Sequence, residues 1–183
     1  MSGFADIAQW VANTDFFTAL RESGLPYPVV MSTHLSSIAI FGGAILMTDL
    51  RILGFAMKSM SITEVYRQTR IWKRIGFCIM ITMGILLTGA KFDKYYDNPY
   101  FDIKMSLLVL VGVHALIFRP RVYKKTEEID RAGKVPGVAK AAAWLSLILW
   151  VGILSMGRWI AYYERPGDIP RAPRAVTLPS APQ

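Results

Sequence analysis

Twenty consecutive residues, Val29 to Thr48, carry no charge, and their only polar groups are serines, threonines and one histidine, His34. That is about the length a helix needs to cross a hydrocarbon core. Three further uncharged runs follow. Ile75 to Ala90 and Met105 to Phe118 are shorter, and each is lengthened by flanking cations that reach toward the interface, Lys73 and Arg74 for the first, Lys104 and Arg119 for the second. Ala141 to Gly157 is the fourth. With 53% hydrophobic residues and a mean hydropathy of +0.34, the chain is too apolar for an ordinary soluble domain. The expected fold is an all-α, integral membrane four-helix bundle, with spans at about 28–52, 71–91, 101–119 and 138–162 inside a bundle domain of residues 28–163.

The glycines within these runs are costly in water but allow helices to approach closely in lipid, which fits a compact bundle. Cys78 is a lone cysteine within the second span and reads as packing.

Four spans place the connections alternately on two sides, so charge can be assigned by side. Thirteen of the 21 Lys and Arg fall in the two connections that follow the first and third spans, against five of the 13 acidic residues. All of the +8 net charge therefore lies on one side. Short basic loops stay in the cytoplasm, so a bacterial cytoplasmic (inner) membrane location with both termini on the periplasmic side is expected. The basic excess then reflects topology and contact with anionic membrane lipids, and no aromatic-interleaved basic motif points to nucleic acid.

Residues 1–27 lack the basic start and apolar core of a signal peptide. Phe4, Ile7, Ala8 and Val11 recur at helical spacing, and Thr14 is placed to cap a second short helix from Asp15 that Gly24 ends. The segment reads as an outward-side amphipathic hairpin anchored by Trp10, Phe16 and Phe17, or equally as a lid over the bundle's outer mouth. At the other terminus, residues 164–183 hold five prolines and little to bury, which predicts an extended tail suited to lying along partner subunits.

The two histidines lie in different halves of the bilayer. At about 1.5 Å per residue, His34 is about 22 Å outward of Asp49, whereas His114 is only about 7 Å outward of Arg119. An offset of about 15 Å is too large for both imidazoles to ligate one haem iron. His34 therefore needs another partner, for which Met31, one turn earlier, and Met105, at comparable depth, make a soft-metal set suited to Cu(I) or to His/Met haem ligation. Otherwise each histidine is bonded to a neighbouring helix.

The connection "AKFDKYYDNPYFDIKM", residues 90–105, lies at the level of His34. It brings Lys91, Lys94 and Lys104, the rings of Tyr95, Tyr96, Tyr100 and Phe101, and an Asn98-Pro99 turn; Arg158 arrives at the same height from the fourth span. Interfacial anchoring accounts for such residues. A sharper reading is a cofactor-binding cavity in which Lys104 and Arg158 meet an anionic group while Tyr95, Tyr96 and Asn98 hydrogen-bond a carbonyl; haem b propionates, a quinone headgroup or a lipid phosphate all fit it. At the inner end, Asp49 and Arg51 do not face one another and are each expected to bond a neighbouring helix end. No nucleotide loop, zinc-protease helix, paired-thiol motif or nucleophile elbow occurs, so no catalytic residue is assigned and no self-contained catalytic motif is expected; the chain is at most a subunit of an oxidoreductase complex.

The stretches "THLSSIAIFGGAILMTDLRILG" and "KYYDNPYFDIKMSLLVLVGVHALIF" resemble a family of uncharacterised bacterial inner-membrane proteins known as a domain of unknown function, over about Thr14 to Tyr163. The resemblance singles out His34, Asp49, Arg51, Asn98, Pro99 and Lys104, and implies that asparagine often replaces His114. It implies the topology without a reaction. Taken together, the residues point to a membrane-anchor or accessory subunit of a periplasm-facing redox complex, with a copper-handling or transport protein and a purely structural lipid-organising subunit as alternatives.

Overall fold

A computed structural model of the 183-residue chain describes residues 2–163; the proline-rich tail expected at 164–183 lies outside the described residues. Four helices are long and apolar enough to cross a membrane: α3 (Pro26–Leu53), α4 (Ile62–Ala90), α6 (Pro99–Phe118) and α8 (Gly137–Ile160). Short helices join or flank them: α1 (Ser2–Ala12), α2 (Asp15–Glu22), α5 (Phe92–Tyr95) and α7 (Thr126–Ala132). No strand occurs among the described residues.

Local chemistry sets the boundaries. Pro26 and Pro28 occupy the first turn of α3, where a missing N–H costs nothing, and Gly54 ends the helix in the left-handed region at φ 81°. Ser61 caps α4 by accepting from the Glu64 amide at 3.0 Å. Asn98 caps α6 by accepting from the Tyr100 amide at 3.0 Å, with Pro99 following it. Thr14 precedes α2 as expected but makes no side-chain cap; its hydroxyl donates back to the Val11 carbonyl at 2.9 Å.

Pro120 cannot supply the amide that an α-helix needs, and α6 absorbs it by widening into a π-turn over Arg119–Tyr123, closed by Lys124 N–H to Arg119 O at 2.9 Å. The third span thus continues as helix to Tyr123 rather than ending near 119. The second begins at Ile62, nine residues before the expected 71.

Cross-helix bonds fix the topology. Thr48 meets Thr69 at 3.2 Å and His34 meets Met80 O at 3.0 Å, so α3 and α4 run antiparallel. His114 meets Ala142 O at 3.0 Å and Asn98 reaches Ile160 O at 3.4 Å, so α6 and α8 do likewise. One end of the bundle, here the basic end, carries the 54–61 connection, the π-turn and α7. The other, the terminal end, carries α1, α2, α5 and residue 163.

Side chains facing outward from the spans are apolar, with Leu116 79% and Ile148 65% exposed. A surface of this kind suits lipid, and the protein is a four-span membrane protein. Inside, small residues bring backbones together. A Cβ at Gly76 would lie 3.0 Å from that of Phe41 and 3.2 Å from its amide nitrogen, so α3 and α4 cross there only because position 76 is glycine. At the basic end Ile52, Ile62, Val122 and Ile129 pack on Ala139, Ala142 and Ala143. Residues 120–136 are therefore partly core.

The hairpin α1–α2 is fastened to the terminal end. Arg21 donates to Ala12 O at 3.0 Å and Ala90 O at 3.2 Å, and the Phe17 ring lies so tightly over Gly89 that a Cβ there would collide with it. Trp10 and Phe16 stay exposed, as membrane-interface anchors would.

Candidate functional site

Two polar clusters lie between the spans, one toward each end. At the terminal end, His34 on α3 turns Nδ1 toward the Met80 carbonyl of α4. A carbonyl only accepts, so Nδ1 carries the proton and Nε2 presents a lone pair. Lys104 on α6 is close enough for its charge to act on the imidazole. Two glycines give these side chains room: a Cβ at Gly84 of α4 would lie 3.1 Å from His34 Cε1, and one at Gly157 of α8 would lie 3.7 Å from Lys104 Nζ. All four spans thus meet around His34 and Lys104. The half-buried Lys104 ammonium donates to no group among the described residues.

Tyr27, Met31 and His34 recur at i, i+4 and i+7 and share one face of α3. The buried Tyr27 hydroxyl has no hydrogen-bond partner among the described residues, while the Lys91 ammonium lies 4.7 Å from its ring centroid.

The remaining expected site residues divide. Tyr95 is half-buried and stacks on Phe101 with ring centroids 5.3 Å apart. Burial, then Tyr27 and Asp93, push its phenol up to about 12, so it stays neutral and can donate a hydrogen bond. Tyr96 is half-buried beside it in sequence. Asn98 is occupied structurally: its oxygen caps α6 and its amide reaches α8. Arg158 is exposed and lies over the Tyr162 ring at 4.7 Å while donating to the Tyr162 hydroxyl, so its partner is a neighbour on its own chain segment. Met31 and Met105 are half-buried on α3 and α6. Among the described residues no three His, Cys, Asp or Glu gather as a metal site. His114 is buried, 7% exposed, and held by Ala142 O.

The second cluster, at the basic end, was only half visible in the sequence. Asp49, 1% exposed, accepts from the Tyr123 hydroxyl at 2.9 Å, and the Ser146 side chain of α8 faces the same carboxylate without the close geometry Tyr123 has. Lys73 turns inward, donating to Thr48 Oγ1 at 2.6 Å with its ammonium 5.3 Å from the Tyr66 ring. It is thus a bundle-facing residue, correcting its expected role as a flank that snorkels to the interface. Tyr66, Thr69 and Lys73 recur at i, i+3 and i+7, and that polar stripe at the head of a span was the signal that could have found it. Arg51 is held locally, Nε donating to Met60 O at 2.6 Å.

A family model described as "Family of unknown function (DUF6644)" matches residues 9–163. The chain belongs to the DUF6644 family. The match spans α3 through α8, and therefore both clusters. No curated protein and no solved structure matches the chain.

Proposed function

We propose that this DUF6644 protein is a membrane-integral accessory subunit of a larger redox or energy-transducing complex in a bacterial inner membrane, and that its terminal end faces the periplasm and binds a quinone headgroup between His34 and Lys104. The observation that carries the reading is the pairing of these two groups. An acceptor nitrogen and an ammonium that donates to no group among the described residues lie close together where all four spans meet. A quinol hydroxyl donates to His34 Nε2, and the oxygen across the ring accepts from Lys104, whereas in the oxidised form both carbonyls need donors and Lys104 supplies one. Tyr27 shares the α3 face that carries His34, and Tyr95 lies near Tyr27. The charge asymmetry supports the orientation, with the basic end cytoplasmic. The lack of a self-contained catalytic motif supports a subunit role.

The test is to purify the full chain gently from its native membrane, identify co-purifying chains by mass, and extract and quantify bound quinone. The reading expects partner subunits carrying redox cofactors and a quinone that Lys104→Met and His34→Ala each deplete. A chain that purifies alone and quinone-free overturns it. A reduced b-type band lost in His34→Ala assigns the site to haem instead, and copper lost in the same variant assigns it to a soft metal.

A further inference from the structure

At the basic end, the first turns of α4, the π-turn and the start of α7 enclose a cleft of about 440 Å³. Arg67, Arg70, Arg74, Arg119 and Lys124 line it, against a single carboxylate, Glu127. Both nearby acids are already committed: Glu127 to Arg131 at 3.4 Å and Glu64 to Arg67 at 2.8 Å. Arg70, Arg74, Arg119 and Lys124 are in no ion pair and donate no side-chain hydrogen bond among the described residues.

Sequence and fold together make this convergence. Arg67, Arg70 and Arg74 follow one another at i, i+3 and i+7 and so form a stripe on one face of α4. Opposite, the π-turn forced by Pro120 carries Arg119 and Lys124 to the other wall, and it holds Tyr123 inward on Asp49. The ring of Tyr123 stacks on that of Tyr66, with centroids 6.4 Å apart, and both rings line the cleft. Arg74 immediately precedes the uncharged run of α4 and Arg119 immediately follows that of α6, so the cleft sits where the apolar surface ends, at headgroup depth.

Like charges gathered in a concavity repel one another unless an anion lies among them. Guanidinium groups match phosphate oxygens in paired hydrogen bonds, and Arg70, Arg74, Arg119 and Lys124 have no anionic partner among the described residues. We infer that this cleft is a binding site for a phosphate-bearing anion with more than one negative charge, such as a doubly phosphorylated lipid headgroup or soluble pyrophosphate. The inference is independent of what occupies the His34 site. Basic residues that serve topology alone need only lie on the correct side of the membrane; these come from two walls and share one space.

The experiment uses the full chain in nanodiscs and in detergent. Native mass spectrometry reads retention of diphosphatidylglycerol, phosphatidylglycerol and phosphatidylethanolamine, and a parallel titration reads inorganic pyrophosphate. Arg70→Gln/Arg119→Gln removes one cation from each wall. Lys58→Gln/Lys140→Gln removes the same charge from the same end, outside the cleft. The expected result is that diphosphatidylglycerol or pyrophosphate binds the wild type, is weakened about tenfold in Arg70→Gln/Arg119→Gln and less than about twofold in the lysine pair. Arg70→Lys/Arg119→Lys, which keeps charge but loses paired donors and is the mildest change to the fold, falls between. Saturation by diphosphatidylglycerol alone identifies the lipid headgroup as occupant, and competition by pyrophosphate identifies a soluble anion. Equal weakening in the glutamine and lysine pairs, or no retention of either probe by the wild type, overturns the inference.

Discussion

The two ends of the bundle differ in how far their polar groups are paired. At the basic end, the Tyr123 hydroxyl donates to Asp49 Oδ1 at 2.9 Å and Thr48 joins Thr69 and Lys73 at 3.2 and 2.6 Å, and of these groups Asp49 Oδ2 alone lacks a hydrogen-bond partner among the described residues. At the terminal end, among the described residues, His34 commits one nitrogen and leaves the other, Lys104 donates to no group, the Tyr27 hydroxyl has no partner, and Gly84 and Gly157 stand against His34 and Lys104. Groups buried in a membrane interior are costly unless paired, so the first arrangement fastens helices, and under the proposed function the second is completed by a ligand. Polar residues within spans therefore divide by whether their partners come from the chain itself.

The largest expected effect breaks the fastener. Asp49→Ala leaves the Tyr123 hydroxyl without its acceptor and removes the negative charge nearest Lys73, and should cost about 2–3 kcal/mol in a reversible unfolding titration. Tyr123→Phe, which removes one hydrogen bond, should cost about 1 kcal/mol. If Asp49→Leu combined with Lys73→Met recovers most of the loss, the pair acts as a fastener; if it recovers none, Asp49 has a further role.

Next in size, Gly84→Ala pushes the His34 ring by a few tenths of an ångström while leaving every described hydrogen bond in place. It should weaken ligand retention about tenfold, equivalent to about 1.4 kcal/mol, with the unfolding midpoint unchanged. A matching fall in stability would show that the His34 region is packing rather than a site.

A smaller effect concerns the start of α4, where the Asp130 carboxylate of α7 accepts from the Ile62 amide at 3.0 Å and the Thr63 amide at 2.8 Å. Burial raises this carboxyl, but the bonds from Thr63 and Ile62 and the charge of Arg51 outweigh it and hold it below the usual carboxylate range. A depressed folded value means that its contribution is present above the unfolded value near 3.8 and disappears as pH falls through the lower folded value. Asp130→Asn should therefore lower the unfolding midpoint at pH 7 and converge with wild type as pH falls through the lowered folded value; the cap is worth about 1 kcal/mol. The smallest effect is Arg67→Ala, which breaks an exposed pair with Glu64 and should change stability by less than about 0.5 kcal/mol.

Much of this architecture was legible in one dimension, because lipid demands long apolar helices and leaves few alternatives. Ile62 to Arg70 escaped the span because its polar face looks toward the basic end, so hydropathy alone hid the first turns of α4. The third span was expected to end at about 119, and the π-turn that carries helix past Pro120 depends on packing of Val122 and Tyr123. The level of His34 and Lys104 could be counted from the span ends, and the structure brings them together. Lys73 could not be placed, because a cation near a span end can snorkel outward or turn inward, and only Thr48, 25 residues away in sequence, decides between them. Arg158 and Asn98 had the right height and chemistry, but Tyr162 and the α6 cap already use them.

The most direct test of the contrast is the quinone content per chain of protein purified gently from its native membrane, measured together with a reduced-minus-oxidised spectrum, for the wild type, Lys104→Met and Asp49→Asn. The account predicts near-stoichiometric quinone in the wild type, a large loss in Lys104→Met with the bundle intact, and retention in whatever fraction of Asp49→Asn stays folded. Quinone-free wild-type protein, or quinone that follows Asp49 rather than Lys104, would contradict it.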